Sequence, residues 1–215
     1  MNGSARRALV ALILLSGFRV HCRVVHADDQ RRAEERLSFQ TGAAWSPRIN
    51  LDADVAIVYG IDPSLPSRIE SWRQHHYRIH VMTGVAWGRY QDYLEGRVDG
   101  QNHWDQAQTD RDSKPILHGG SKNVPYMSPN EAYGRYLTIG IKRAFDAGAE
   151  AIHLEEPEFW AAGGYEANFQ REWRAYYGEA WQPPHSSPDA QYRASKLKYF
   201  LYRRTLSQIF EFVRN

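Results

Sequence analysis

Cysteine is almost absent from this 215-residue chain, and the single one, Cys22, lies close to the N-terminus. The rest of the chain therefore has no disulfide and no thiol nucleophile, and its stability must come from packing. Clustered Lys and Arg are missing too, which removes the footprint of a nucleic-acid binder. No GxGxxG or P-loop follows any apolar run, so a nucleotide-binding sheet loses its best support. No G-x-S-x-G elbow occurs, which leaves serine-hydrolase chemistry unsupported. Nothing in the sequence calls for a cofactor.

The apolar run at Ala8–Phe18 is too short to span a bilayer. With Arg6 and Arg7 before it and Val25-His26-Ala27 after it, residues 1–27 read as a secretory signal and the mature chain as starting near Asp28. The competing reading, an uncleaved membrane anchor, is opposed by Arg19, His21 and Arg23, which interrupt the segment. Removing the signal takes four arginines and no acid, turning a formal charge of +2 into −2. The expectation is a secreted or periplasmic protein with no membrane contact after cleavage.

What the chain does have is aromatic residues, seven Trp and thirteen Tyr. Most serve as core, but in an exported protein aromatic faces also suit the C–H faces of sugars. Residues 28–53 lack periodicity and read as a lead-in. From there strand and helix patterns alternate. The apolar runs 54–59, 78–82 and 151–154 read as buried parallel strands, and Val124–Met127 as a weaker one. Helices are expected through Ile69 and Trp72, around Tyr90–Leu94, across 165–177, and in a final segment with Tyr202, Leu206, Ile209 and Val213 on one face. The best-signalled helix starts at Ser128 as N-cap with Pro129 and Glu131 behind it, carries Tyr133, Leu137, Ile141 and Ala144 as a stripe, and stops at Gly148. About four βα units mean an α/β fold with a parallel sheet over residues 54–215. A closed eight-fold barrel takes about 250 residues, so the pattern amounts to half of one.

Sites in βα barrels lie at the C-terminal ends of the strands, and Glu155, Glu156 and Glu158 follow the strand at 151–154. Like charges crowded together favour keeping one carboxyl protonated, as a proton donor to a glycosidic oxygen must be. The bland alternative is a solvated turn. Trp87 and Trp160 are candidate sugar platforms. Asp99, Gln101, Asn102 and His103, in a long polar segment, are candidate hydroxyl partners, with ordinary loop solvation as the alternative. His103, Asp105 and His118 match no zinc or calcium spacing, so no metal site is assigned. His153 reads as a hydrogen-bonded interior residue.

His153-Leu-Glu-Glu-Pro157 resembles the strand-four Asn-Glu-Pro signature of clan A glycoside hydrolases. The run Phe169…Trp173…Tyr176-Tyr177-Gly178…Trp181 is similar to the one that follows the acid/base in the β-galactosidases of that clan. The resemblance implies a (β/α)8 barrel over residues 54–213, hydrolysis of O-glycosidic bonds, and a carbohydrate substrate. It makes Glu156 the acid/base and puts Glu155 where the signature has Asn, leaving Glu155 as an alternative acid. The clan's nucleophile belongs to a seventh strand. A chain with four strands is therefore expected to be an incomplete, inactive fragment, with open sheet edges inviting self-association. The alternative is a non-catalytic secreted carbohydrate-binding protein.

Overall fold

Four short segments pair side by side, every pair parallel, in the order in which they occur in the chain. In the computed structural model, which describes residues 37–214, they are β1 (Ser38–Thr41), β2 (Val55–Tyr59), β3 (Arg78–Gly84) and β4 (Ala151–Glu155). The signal read over residues 1–27 lies outside the described residues. Helix α1 (Leu65–Arg73) joins β2 to β3. A one-turn helix α2 (Gln91–Leu94), a long irregular segment and α3 (Glu131–Asp146) join β3 to β4. The expected α/β class is what the structure shows.

The strand order carries information. A doubly wound sheet reverses direction at a switch point, where its ligand binds. This sheet runs β1-β2-β3-β4 without reversal. Ile69 and Trp72 of α1 and Leu137, Ile141 and Ala144 of α3 share one core with Ala56 and Val58 of β2 and Ile79 and Val81 of β3. Alternation along the strands then puts Ile57, Tyr59, His80 and Met82 on the opposite face, where all four are partly exposed.

Two strand expectations need correction. The lead-in contains β1, whose Phe39 packs edge-on against Trp72 (5.1 Å) and Tyr77 (5.8 Å). Ser38 and Gln40 are exposed, so this edge strand alternates and lacks the apolar run of a central one. Val124–Met127, in contrast, does not join the sheet. Pro125 has no N–H to give a ladder, and the segment makes isolated antiparallel bridges, Leu117 with Pro125 and Ala107 with Met127. Those bridges fold residues 107–127 back on themselves, helped by Gln108 N–H donating to Tyr126 O (2.7 Å) and His118 N–H to Val124 O (2.9 Å).

The start of α3 is also corrected. Its N-cap is Asn130, whose Oδ1 accepts from Tyr133 N–H at 2.9 Å. Ser128 is buried and engaged elsewhere, since Asn168 Nδ2 donates to its carbonyl (2.8 Å) and its Oγ (3.2 Å). The stripe Tyr133, Leu137, Ile141 and Ala144 is fully buried as the spacing predicts. Gly148, just past the helix, has φ +103°, a conformation that favours glycine. Helix α4 (Ala167–Tyr177) and helix α5 (Pro188–Arg214) build a second apolar cluster from Phe169, Trp173, Ala194, Leu197 and Leu201. Tyr202 and Ile209 of α5 reach the main core, whereas Val213 stays exposed, so the buried stripe ends one turn early.

Candidate active site

Parallel strands deliver their C-terminal ends to one rim, and the chain leaves β3 there in a tight turn. Gly84 ends β3, and a Cβ at that position would sit 2.1 Å from the Trp87 carbonyl oxygen. Glycine is what allows the turn to close and Trp87 to stand over the rim. From there the Trp87 indole N–H donates to Glu156 Oε2. Glu156 directly follows β4 and has φ +47°. A non-glycine residue in that left-handed region is strained, and such strain collects at functional positions. The Glu158 N–H closes the turn by donating to the Glu156 carbonyl (2.8 Å).

Trp87 belongs to a run of rings. His118 stacks on it with centroids 3.4 Å apart, and Tyr59 at 5.9 Å. Tyr126 meets His118 edge-on at 5.7 Å, and Trp160, 45% exposed, meets Tyr126 at 5.4 Å. The two tryptophans picked from the sequence are thus linked through His118 and Tyr126. One indole face of Trp87 is covered by imidazole, which leaves Trp160 the more open platform.

Beside this run, Tyr59 ends β2 and Glu155 ends β4; in the sheet register Tyr59 lies opposite Met82 of β3 and Glu155 opposite Gly84. Tyr59 Oη and Glu155 Oε2 are buried, and neither has a well-formed hydrogen bond. Burial and then the facing Glu155 carboxylate push the Tyr59 phenol far above its ordinary pKa, so Tyr59 stays protonated. A buried pair of this kind is short of one polar partner, such as a ligand hydroxyl.

The loop after Glu156 is held by residues that sequence reasoning did not single out. Gln108 is fully buried, donates to Met127 O (2.9 Å) and Glu158 O (3.0 Å), and accepts from Trp160 N–H (3.0 Å). Lys198 of α5 donates to the carbonyls of Trp160 (2.9 Å) and Ala161 (3.1 Å). Burial pulls its pKa down to about 8, with the Glu166 carboxylate opposing. Glu166 accepts from Thr109 N–H (3.1 Å) and Gly164 N–H (3.2 Å). Apart from the Gly164–Glu166 contact, these bonds join positions far apart in the chain, so no local pattern announces them.

The polar loop residues go elsewhere. Asp99 accepts from Gln101 N–H (3.0 Å) and pairs with His103 Nε2 (2.9 Å). The Gln101 amide and the His103 ring hold the Asp99 carboxyl below the usual carboxylate range. His103 stacks on Tyr93 at 3.9 Å, and Asn102 Oδ1 accepts from Trp104 N–H (3.0 Å). Asp105 pairs with Arg171 of α4. These residues satisfy one another and are not brought to Glu156. His153 meets His80 across the sheet at 3.0 Å. Among the described residues no group of three His, Asp or Glu converges on a metal position.

A cavity of about 230 Å³ opens at the same rim, walled by Tyr59, Gly60, Trp87, Arg89 and His118 among others. No protein-family model and no curated protein matches the chain.

Proposed function

We propose that this rim binds a glycoside, with Glu156 as the proton donor to the glycosidic oxygen, on the plan of a (β/α)8-barrel glycoside hydrolase. The observation that carries the reading is the Trp87–Glu156 hydrogen bond at the C-terminal ends of parallel strands. It fixes a carboxyl group in a strained turn beside an aromatic-walled cavity, where barrel enzymes place their chemistry. The unreversed strand order supports a barrel over a doubly wound sheet. Glu155, which faces Tyr59 with an unpartnered oxygen, suits a role in holding a sugar hydroxyl. Trp160 suits an outer platform. The signal read at residues 1–27 makes this an extracytoplasmic site.

Hydrolysis needs a second carboxyl group on the far side of the scissile bond, roughly 5–9.5 Å away. Among the described residues the rim acids Glu155, Glu156 and Glu158 all lie at the C-terminal end of β4, and Asp62 is held by Arg68 at 2.9 Å. That one-sided arrangement favours binding without turnover by residues 37–214 alone, which is the second reading, a carbohydrate-binding module. Calorimetric titration with a panel of methyl and aryl glycosides tests both. Binding is expected, weakened about tenfold or more by Trp160→Ala and by Glu156→Gln, in line with the loss of a stacking face or a charge-assisted hydrogen bond. A second carboxylate supplied by further strands would bring turnover, and Glu156→Gln should then cost about 10²–10⁴-fold. Failure of every glycoside to bind would remove the proposal.

A further inference from the structure

We infer that the rim cavity takes an anionic sugar, a uronic acid residue whose carboxylate pairs with Arg89; this rests on the glycoside-binding reading above. Arg89 lies one turn past the end of β3 and lines the cavity with its side chain exposed. Several other arginines are committed, Arg68 to Asp62, Arg97 to Glu95, Arg171 to Asp105 and Arg204 to Glu172, and among the described residues Arg89 is the one arginine in the cavity wall. Among the described residues Arg89 has no hydrogen bond and no carboxylate within ion-pair distance.

The charges around the cavity leave that guanidinium uncompensated. Asp62 is the one carboxylate in the wall, and it is already engaged by Arg68 (2.9 Å), Ser64 N–H (2.9 Å) and Ser64 Oγ (2.5 Å). Glu155 and Glu156 do not line the cavity. Trp87 stands between, giving its ring to the wall and its N–H to Glu156. His118 adds an imidazole with no hydrogen bond to its ring nitrogens among the described residues. A neutral hexose closing over Arg89 would strip water from the guanidinium and return no anion. A uronate returns one in the planar, two-oxygen form that a guanidinium matches. The volume, about 230 Å³, suits one sugar ring with its carboxylate rather than an oligosaccharide. Tyr59, whose buried Oη faces Glu155 without a well-formed hydrogen bond, forms part of the same wall.

The test titrates the full chain at low salt with methyl glucuronide and methyl galacturonide, and with the matching methyl glucoside and galactoside. One or both uronides should bind about 10–100-fold more tightly than the neutral partner, the range set by a charge-assisted pair. Arg89→Ala should erase the difference and Arg89→Lys should keep part of it. Because Arg89 is exposed and unpaired, both variants should melt with the wild type, which separates lost recognition from lost fold. Equal binding of uronides and neutral glycosides, or a uronide preference that survives Arg89→Ala, would overturn the inference and leave the sugar site standing. No binding by any of the four would overturn both readings.

Discussion

Between about pH 11 and 12 the protein is expected to unfold in one cooperative step. Tyr90, Tyr93, Tyr133, Tyr136 and Tyr202 are each at most 5% exposed. Their hydroxyls all donate inward, Tyr93 to Gln106 (2.9 Å), Tyr133 to Val85 O (2.9 Å), Tyr136 to Asp92 (2.9 Å), Tyr202 to Met127 O (2.7 Å) and Tyr90 to Gly84 O (2.5 Å). Ionising any of them would bury a charge and delete a donor. Burial accordingly holds all five far above the ordinary phenol value. In the unfolded chain they ionise near pH 10. A folded value raised above the unfolded one contributes its full stability below pH 10 and loses it as pH rises, at about 1.4 kcal/mol per group per pH unit. Five groups lose about 7 kcal/mol by pH 11, against a total stability of about 5–15 kcal/mol. Lys198 runs the other way, since its folded pKa of about 8 lies below the unfolded value and its contribution rises from pH 8 to 10.5. It is one group against five. Tyrosinate absorbance and far-ultraviolet circular dichroism should change together, and gradual tyrosinate formation with intact helices would refute the expectation.

Gly84→Ala should be the most damaging small substitution at the rim. The added methyl carbon would lie 2.1 Å from the Trp87 carbonyl oxygen, a backbone atom, and 3.4 Å from Tyr59 Oη. Backbone cannot swing aside as a side chain can, so the turn must open, at a cost of about 1–3 kcal/mol or more. An opened turn carries Trp87 away from Glu156, and glycoside binding should fall more than tenfold with it. Gly42, at the end of β1, is the stability control. A Cβ there meets nothing within 4 Å, so Gly42→Ala should stay within about 0.5 kcal/mol of wild type. Denaturant midpoints and titrations of both variants measure this, and a Gly84→Ala protein as stable and as competent as wild type would contradict the geometry.

The central strands and the helices behind them were legible because each announces itself locally. Val55–Tyr59 is an unbroken apolar run, Ala151–Leu154 is interrupted only by His153, and α3 repeats Tyr133, Leu137, Ile141 at helical spacing. β1 was not legible, because an edge strand with one packed residue, Phe39, carries almost no run. Val124–Met127 misled for the opposite reason, since its apolar residues pack a folded-back loop rather than a sheet. At the candidate site the strand-end position of Glu156 and the placement of Trp87 were readable, and the structure brings those two into contact. Asp99, Gln101, Asn102 and His103 looked like ligand partners and instead bond to residues two to four positions away. Tyr59, Gln108, Lys198 and Arg89 left no trace, because their meaning depends on what the fold sets beside them. Gln108 and Trp160, for example, are 52 residues apart.

The most direct test of the account is the nuclear magnetic resonance signal of the Trp87 indole N–H, assigned through Trp87→Phe and followed while a glycoside is titrated in. A proton donated to the Glu156 carboxylate should resonate downfield of the other indoles, lose that displacement in Glu156→Gln, and shift on glycoside binding together with the amides of Gly60 and Gly88. A glycoside that leaves the Trp87 signal unmoved while shifting the amides of residues 99–103 would place the site on the polar loop, and the account of the rim would be wrong.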